Sequence, residues 1–316
     1  MVNKTKKDSD IELPKKPQVM KFKKRVKLAE GEEKVVKPVD PRNKLNELTG
    51  TEWMPETKSF WFQKGLGANH ADAKIEKLHP APFSFQDVMR LVKFFTKSGD
   101  TVLDPFSGVG STMKACALSG RHGVGIELTE SWNELAKKRL LIEVSDDALD
   151  NINFVNGDCR KEINNLEDNS LDFMVTSPPY WFILNKKVDH KTRVRIEEEL
   201  ETSYSEDERD LGNISDYQEF LQELKSIFID AGKKLKPHKY MAIIVSDFRH
   251  ESKFYSFHSD IIQLLDEQVT NNDKKLTLQG VKVLAQNHKS LLPYGYPYAY
   301  VENIHHQYII LLRKDK

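Results

Sequence analysis

Apolar runs of strand length alternate with amphipathic helical segments along most of the chain after residue 83, and this alternation constrains the fold more than any other feature. In the segment SFQDVMRLVKFFTKSG, Val88, Leu91, Val92 and Phe95 recur at helical spacing, and the strand-like run TVLDPF follows. Strands that alternate with helices of roughly 10 to 20 residues are typical of a mostly parallel sheet with helices on both faces. We therefore predict an α/β fold.

The length of 316 residues suits one such domain, which we place at residues 44–316, preceded by a basic flexible arm at residues 1–43. The stretch from Lys15 to Lys27, KKPQVMKFKKRVK, carries seven basic residues and no acidic one. Such a composition cannot bury enough apolar surface to order itself. Two interpretations stay open, a solvated tail and an arm that follows phosphates electrostatically.

Several classes of protein are excluded by what the sequence lacks. It has no membrane-length apolar run, and its first ten residues lack the apolar stretch of a secretory signal. We therefore expect a cytoplasmic protein that does not contact membranes. Cys116 and Cys159 are the two cysteines, and no Cys/His cluster accompanies them, so we expect neither a disulfide framework nor a metal site.

Unusual residues follow four of the predicted strands. DPFSGVGS comes after the first, Glu127 after the second, Asp158 in the triplet NGD after the third, and SPPYW after the fourth. Ligands of open α/β sheets bind outside the carboxyl ends of the strands. The four clusters therefore predict one binding site at this edge of the sheet.

The loop DPFSGVGS is neither a P-loop nor a dinucleotide fingerprint. No lysine follows Gly110, and Met113 stands where the third glycine of GxGxxG would be. What remains is a tight strand-to-helix turn, in which Gly108 and Gly110 let a ligand approach the backbone and the helix N-terminus favours an anionic group. Because Asp104 adds a carboxylate to the same pocket, a zwitterionic amino-acid end fits this loop.

The next two clusters indicate which groups the rest of the ligand carries. Glu127 stands where an acidic residue usually accepts the two hydroxyls of a ribose, and Asp158 is placed to accept from an adenine amine. Each residue alone is more often a helix cap. In this order, however, a methionyl zwitterion, a ribose and an adenine describe S-adenosylmethionine.

With these motifs the chain resembles the family of S-adenosylmethionine-dependent DNA methyltransferases that act on exocyclic amines, adenine N6 or cytosine N4. The matching segments run from HPAPF through DPFSGVGST, VNGD and TSPPY to IHHQYIILLRK, and they cover roughly residues 50–316. The resemblance implies a Rossmann-like class I methyltransferase fold with a mostly parallel seven-stranded sheet. It also implies that HPAPF covers the methionyl end of the cofactor. The predicted cofactor-binding residues are Pro82, Phe83, Asp104, Pro105, Phe106, Gly108, Gly110, Ser111, Glu127 and Asp158.

SPPY carries the chemistry that we predict. An exocyclic amine is a poor nucleophile because its lone pair is delocalised into the ring, and two acceptors placed against its protons can localise that pair. By the resemblance, the acceptors are the Ser177 hydroxyl and the Pro178 carbonyl, held rigidly by the step to Pro179. Tyr180 then offers a face on which a base turned out of the duplex can stack, and Trp181 is expected to extend that platform.

Methyl transfer by this route is a direct displacement and needs no covalent enzyme intermediate. Methylation at cytosine C5 would need a cysteine nucleophile, and neither cysteine lies beside a proline in a catalytic loop. We therefore predict a site-specific DNA methyltransferase. By the same resemblance, serine at position 177 favours cytosine N4, with adenine N6 as the alternative, and an RNA amine methyltransferase or a non-catalytic nucleic-acid-binding subunit as further ones.

The implied partner is double-stranded DNA, while a homodimer and a cognate restriction endonuclease are left open. We expect no large recognition domain after SPPY. Candidates for DNA contact are therefore the arm, an insert at residues 182–213 and the loop VTNNDKKLTLQG. The insert begins with six basic residues and then turns acidic, so it suits either a groove-reading lid or a solvated helix. The aromatic-rich segment HKSLLPYGYPYAYVENIHH either lines the base pocket or packs as core, and we favour core.

Overall fold

The structure is a computed structural model, and it describes residues 38–63, 84–144, 146–182, 207–271, 273–287 and 289–316. Almost all of the predicted arm, the segment HPAPF with Pro82 and Phe83, and residues 183–206 of the predicted insert lie outside this range. The proposed domain boundaries therefore stay a prediction.

The strands of the described chain alternate with its helices, as the sequence pattern predicts. The strands are β1 (Phe60–Phe62), β2 (Thr101–Asp104), β3 (His122–Glu127), β4 (Ile152–Asn156), β5 (Leu171–Thr176), β6 (Leu235–Val245), β7 (Phe248–His250), β8 (Lys253–Tyr255), β9 (Gln268–Val269), β10 (Lys275–Ala285) and β11 (His306–Lys314). The α-helices are α1 (Gly50–Glu56), α2 (Phe85–Phe95), α3 (Ser111–Ser119), α4 (Glu130–Glu143), α5 (Asp146–Leu149), α6 (Cys159–Glu162), α7 (Tyr217–Lys234) and α8 (Phe257–Leu265).

Nine strands form one sheet in the order β1-β10-β11-β6-β5-β2-β3-β4, with β9 paired to β10 beside this path. The pairs from β4 through β3, β2 and β5 to β6 are all parallel, whereas β11 is antiparallel to both of its neighbours. The mostly parallel α/β fold is thus confirmed. The sheet exceeds the predicted seven strands by β1 and β9, two short strands that pair with β10.

Side chains of the central strands alternate between two cores, because successive residues of a strand point to opposite faces. In β6, Met241, Ile243 and Val245 join the core formed with α7 and α8, and Ala242 and Ile244 join the core formed with α2 and α3. Helices therefore cover both faces of the sheet. This double burial explains why the central strands read as continuous apolar runs.

Local signals account for the helix that leads into the site. Ser84 caps α2 by accepting from the Gln86 amide at 3.3 Å, and the buried face of the helix carries the Val88, Leu91 and Phe95 predicted from the spacing. β2 follows after Gly99, whose φ of 79° makes the turn. Among the described helices, none has the length and apolar character needed to cross a bilayer.

Candidate functional site

One cavity lies at the carboxyl ends of β2, β3, β4 and β5, where the sequence predicts the site. All four predicted clusters contribute to its wall. Its lining residues are Pro105, Phe106, Ser107, Gly108, Val109, Ser111, Ile126, Glu127, Leu128, Thr129, Trp132, Gly157, Asp158, Cys159, Ser177, Pro178, Pro179, Arg209, Asp210 and Leu211. The parallel topology thus brings residues far apart in the chain around one ligand-sized space.

The glycine loop is shaped by backbone conformations that other residues avoid. Gly108 has a φ of 48° and Gly110 a φ of 77°, both left-handed. A Cβ at Gly110 would lie 2.9 Å from the Ala136 Cβ, so α4 packs directly against the turn. From the same helix, Arg139 Nη1 donates to the Val109 carbonyl oxygen at 3.1 Å. Helix α4 therefore supports one side of the loop, and the other side of the loop faces the cavity.

Asp104 lies under this loop, not on the cavity wall. Its carboxylate accepts from Thr112 Oγ1 at 2.5 Å, from Thr176 Oγ1 at 2.6 Å and from the Phe106 amide at 3.1 Å. The side chain is fully buried, and this burial raises the pKa of Asp104 to about 6 despite the three hydrogen bonds. In the structure Asp104 ties the end of β2 to the first turn of α3 and the end of β5, and its contact with a cofactor stays a prediction.

Glu127 lines the cavity and is held from both sides. Its Oε2 accepts from the Gly108 amide at 2.8 Å, and its Oε1 accepts from the Thr129 amide at 2.9 Å. Burial raises the pKa of Glu127 to about 7, although both amide hydrogen bonds favour the charged form. Each carboxylate oxygen keeps a lone pair for a further donor. Thr129 stands at the N-cap position of α4, where its side chain makes no capping hydrogen bond.

Asp158 also lines the cavity, and Arg160 occupies much of its acceptor capacity. Asp158 Oδ2 lies 2.9 Å from Arg160 Nη2, and Oδ1 caps α6 by accepting from the Arg160 amide at 3.0 Å. Burial by itself would raise the pKa of Asp158, and the hydrogen bonds from Arg160 outweigh it and lower that pKa below its ordinary value. Arg160 also donates to the Arg209 carbonyl oxygen at 2.8 Å and to Glu223 Oε2 at 3.1 Å.

The SPPY motif starts where β5 ends, so its first three residues border the cavity. Ser177 and Pro179 are partly exposed there, and Pro178 is buried. Thr176 is bonded to Asp104, so the end of β5 is fixed to the strand that carries the glycine loop. The glycine loop and the motif thus line one cavity, which their order in the chain alone could not establish.

Tyr180 turns away from this cavity toward the ends of β6 and β11. Its hydroxyl accepts from the Ser246 amide at 3.1 Å and from Gln307 Nε2 at 3.3 Å. Burial raises the pKa of Tyr180 above its ordinary value. The ring centroid is 6.1 Å from that of Phe257, and the side chain keeps partial exposure. The hydroxyl thus anchors Tyr180, and stacking of a base on its ring stays a prediction.

Trp181 does not extend a platform at the surface, and that expectation is wrong. The residue is 6% exposed, and its ring packs among Tyr217, His250 and Tyr255 at centroid distances of 5.1, 4.8 and 5.3 Å. Its φ of 35° turns the chain directly after the motif, which directs the indole inward. Trp181, although it directly follows the SPPY motif, is therefore a core residue.

Two parts of the wall were not predicted from the sequence. Trp132 reaches the cavity from the first turn of α4, and Arg209, Asp210 and Leu211 reach it from the far end of the predicted insert. Trp132 could have been found, because a helix that starts after Glu127 points its first turn at the same strand end. Residues 209–211 carry no such local signal.

The two cysteines are free and buried. Burial raises the pKa of both thiols above the ordinary value, to about 12 for Cys159, which borders the cavity. A thiolate nucleophile is therefore disfavoured there at neutral pH.

Comparisons with known proteins found similar sequences and similar solved structures. Residues 1–138 match the model of a family described as DNA methylase. Type II methyltransferase M.MjaI of Methanocaldococcus jannaschii is 31% identical over 130 residues, which are 40% of this chain and 41% of that protein. Type II methyltransferase M.BglI of Bacillus subtilis is 31% identical over 99 residues, 31% of this chain and 26% of that protein. Both matches span less than half of the relative's length. Among solved structures, TrmN from Thermus thermophilus aligns with a TM-score of 0.43 and 16% identity, covering 73% of this chain and 48% of that one.

Proposed function

We propose that the chain, whose residues 1–138 match a DNA methylase family and which is similar to two type II methyltransferases over less than half of each, transfers a methyl group from S-adenosylmethionine to the exocyclic amine of a base in double-stranded DNA. One observation carries the proposal. A single cavity is bordered by the glycine loop, Glu127 and Asp158 on one side and by Ser177 to Pro179 on the other. A methyl donor bound along the glycine loop, Glu127 and Asp158 would present its methyl group to the acceptors at Ser177 to Pro179.

The described residues fit this cofactor. The Ser107 hydroxyl is buried, borders the cavity and has no hydrogen-bond partner among the described residues, so it can serve a polar ligand group. Glu127 retains lone pairs for ribose hydroxyls, and the rings of Phe106 and Trp132 supply apolar wall. Asp158 would share its acceptor capacity between Arg160 and an adenine amine. When bound, S-adenosylmethionine supplies a methyl group already activated on sulfur.

The chain's own contribution to the chemistry is placement. The Ser177 hydroxyl and the Pro178 carbonyl accept from the two protons of the target amine and hold it at the cavity mouth. Because the bond from Thr176 to Asp104 links β5 to the glycine loop, these acceptors are fixed relative to the cofactor site before any substrate arrives. Fixed acceptors and short reaction distances are the effects that accelerate such a displacement.

Within this proposal, the target base is turned out of the duplex, and cytosine N4 is favoured over adenine N6 because serine stands at position 177. Support for the first part is the place of Tyr180, whose hydroxyl is anchored while the residue stays partly exposed beside Ser177. The loop VTNNDKKLTLQG is less suited to DNA contact than expected. Its described residues lead into the amino end of β10, at the opposite edge of the sheet from the cavity. The setting that we propose is the cytoplasm.

The test is transfer of tritium from labelled S-adenosylmethionine. Purified full-length protein is incubated with duplex DNA, RNA or protein, and the labelled product is identified by nucleoside mass spectrometry. We expect label in DNA, as N4-methylcytosine, and loss of transfer in Ser177→Ala with retained cofactor binding. Ser98→Ala, at an exposed serine away from the cavity, is the matched control. Label found as N6-methyladenine would show that the target base is adenine and not cytosine. Label only in RNA or protein would overturn the proposal. Sedimentation of the same preparation tests for a homodimer.

A further inference from the structure

The segment between β10 and β11 exposes tyrosines where we expected core, so that expectation is wrong. Tyr296, Tyr298 and Tyr300 are 80%, 94% and 82% exposed, and the neighbouring Leu291 is 76% exposed. Single exposed aromatic residues are common on protein surfaces. A contiguous group of large rings left in water is not, and such groups mark binding surfaces.

Backbone and amide hydrogen bonds organise this loop without using those rings. The Gln286 amide donates to the His305 carbonyl oxygen at 2.8 Å and closes the base of the loop. The side chain of Asn303 clamps Leu292 from both sides, accepting from its amide at 2.9 Å and donating to its carbonyl oxygen at 2.8 Å. The three exposed rings are thus displayed by an ordered loop, which lowers the entropy that a ligand must overcome.

A glycine makes the tip of the loop possible. Gly295 has a φ of 72°, and a Cβ there would clash with the Ala299 carbonyl oxygen. Its own carbonyl oxygen accepts from the Tyr298 and Ala299 amides, both at 2.7 Å. This tight turn presents the tyrosines on either side of it to solvent.

The loop leaves the sheet beside the SPPY motif. β10 runs parallel to the central strands, so the loop after it lies at the same edge as the cavity. Where the loop ends, the His306 carbonyl oxygen accepts from Ser246 Oγ at 3.2 Å, and Gln307 donates to the Tyr180 hydroxyl. The hairpin that follows β6 at this edge carries Lys253, an exposed cation whose Nζ lies 4.6 Å from the centroid of the Tyr255 ring. A strand of nucleic acid that reached the motif would therefore pass this loop.

We propose that Tyr296, Tyr298 and Tyr300 form a stacking surface for unpaired nucleobases of the DNA substrate, separate from the place where the target base is held. The inference rests on the proposed function in one respect, that DNA approaches this edge of the sheet. Turning a base out of a duplex leaves its former partner unpaired, and bases in mismatched or single-stranded stretches are unpaired as well. Tyrosine rings suit these because every base has a π-face, and stacking on aromatic side chains tolerates any sequence.

The experiment compares two single-stranded probes with equal numbers of phosphates. One is a fluorescein-labelled twelve-nucleotide thymidylate, and the other is the same backbone with abasic residues. Full-length protein is titrated into each, and fluorescence anisotropy gives Kd. Because a base stacked on an aromatic ring changes affinity by roughly tenfold, we expect the wild type to prefer thymidylate by about tenfold or more.

Variants separate stacking from other effects of the loop. The triple variant Tyr296→Ala, Tyr298→Ala, Tyr300→Ala is expected to lose the preference for thymidylate while it binds the abasic probe as before. The same three positions changed to Phe should keep the preference, because the rings remain. Leu141→Ala with Ile142→Ala is the matched control, since these residues are also exposed and apolar, 62% and 84%, but lie on α4.

Equal wild-type affinity for the two probes would overturn the inference, as would a preference that survives in the alanine variant. A change in sedimentation of the alanine variant without a change in probe binding would also overturn it, because the surface would then serve contacts between copies of the chain. Methyl transfer to duplex DNA is measured in parallel. Stacking without any transfer would refute the proposed function alone, and transfer without stacking would refute this inference alone.

Discussion

Replacing Glu127 by Gln changes one atom of the cavity wall and tests how the cofactor site works. Both carboxylate oxygens accept backbone amides, from Gly108 and Thr129. The amide nitrogen of Gln cannot accept, so one of those N–H groups loses its partner. An unpaired buried donor costs about 1–3 kcal/mol. Because the Gln nitrogen also cannot accept from a ribose hydroxyl, we expect roughly tenfold or greater loss of cofactor affinity.

The pH dependence gives a sharper expectation. Burial raises the pKa of Glu127 to about 7, so about one tenth of the groups are ionised at pH 6 and about nine tenths at pH 8. Ribose hydroxyls that donate to the carboxylate favour its charged form and lower its pKa. Binding therefore releases a proton, and the wild-type Kd should fall about tenfold as the pH rises from 6 to 8. The Gln variant has no such group, so this part of the dependence disappears.

Isothermal titration calorimetry with S-adenosylhomocysteine at pH 6, 7 and 8 measures the effect. The ligand's own titration is common to both proteins and cancels in the ratio of their Kd values. Glu134→Gln, on the exposed side of α4, is the matched control and should follow the wild type. A ratio of Gln-variant to wild-type Kd that stays constant from pH 6 to 8 would refute the role of Glu127 as the ionised acceptor.

Three further substitutions have expected outcomes. Gly110→Ala adds a Cβ at 2.9 Å from the Ala136 Cβ in a left-handed conformation. Thermal unfolding should show that the free energy of unfolding falls by about 2 kcal/mol or more. Gly50→Ala, where nothing lies within 4 Å of the added Cβ, should leave the free energy of unfolding unchanged. Cys159→Ala should keep tritium transfer, because a thiol whose pKa burial raises to about 12 supplies no nucleophile; abolished transfer with intact cofactor binding would contradict this. Tyr180→Phe removes the acceptor of the Ser246 amide and should lower both Tm and kcat by leaving that donor unpaired, at a cost of ~1–3 kcal/mol; an unchanged Tm would show that the anchor is dispensable.

Local periodicity was sufficient to predict the central sheet, because strands buried on both faces must be apolar throughout. Local periodicity was not sufficient for β10, which lies beside β1 at one side of the sheet. β10 spans Lys275–Ala285 with a register shift between Leu278 and Gly280. The first half of β10 mixes polar and apolar residues, since its side chains are only partly covered. Pairing with β11 forms this strand, and such long-range pairing has no local signature.

The tyrosine segment failed for a related reason. Aromatic residues favour burial, and that preference led to the prediction of core. In YGYPYAY, however, a small residue or a proline separates each tyrosine from the next, and the chain turns at Gly295 instead of forming an element with one buried face. Burial needs a common face, so composition alone misjudged these rings.

Asp104 shows what strand-end reasoning can and cannot predict about a site. Its position at the end of β2 and before a glycine turn predicted a residue of the site. In the structure its side chain connects the end of β2 with α3 and β5. The direction of its side chain depends on Thr112 and Thr176, one in the next helix and one on the neighbouring strand. These two hydroxyls draw the carboxylate beneath the loop and compensate part of its burial, which still raises its pKa to about 6. The same bonds fix the loop against the strand that ends in Ser177. The carboxylate that the sequence suggests as a ligand contact thus links, in this structure, the glycine loop and its helix to the strand that ends in the SPPY motif.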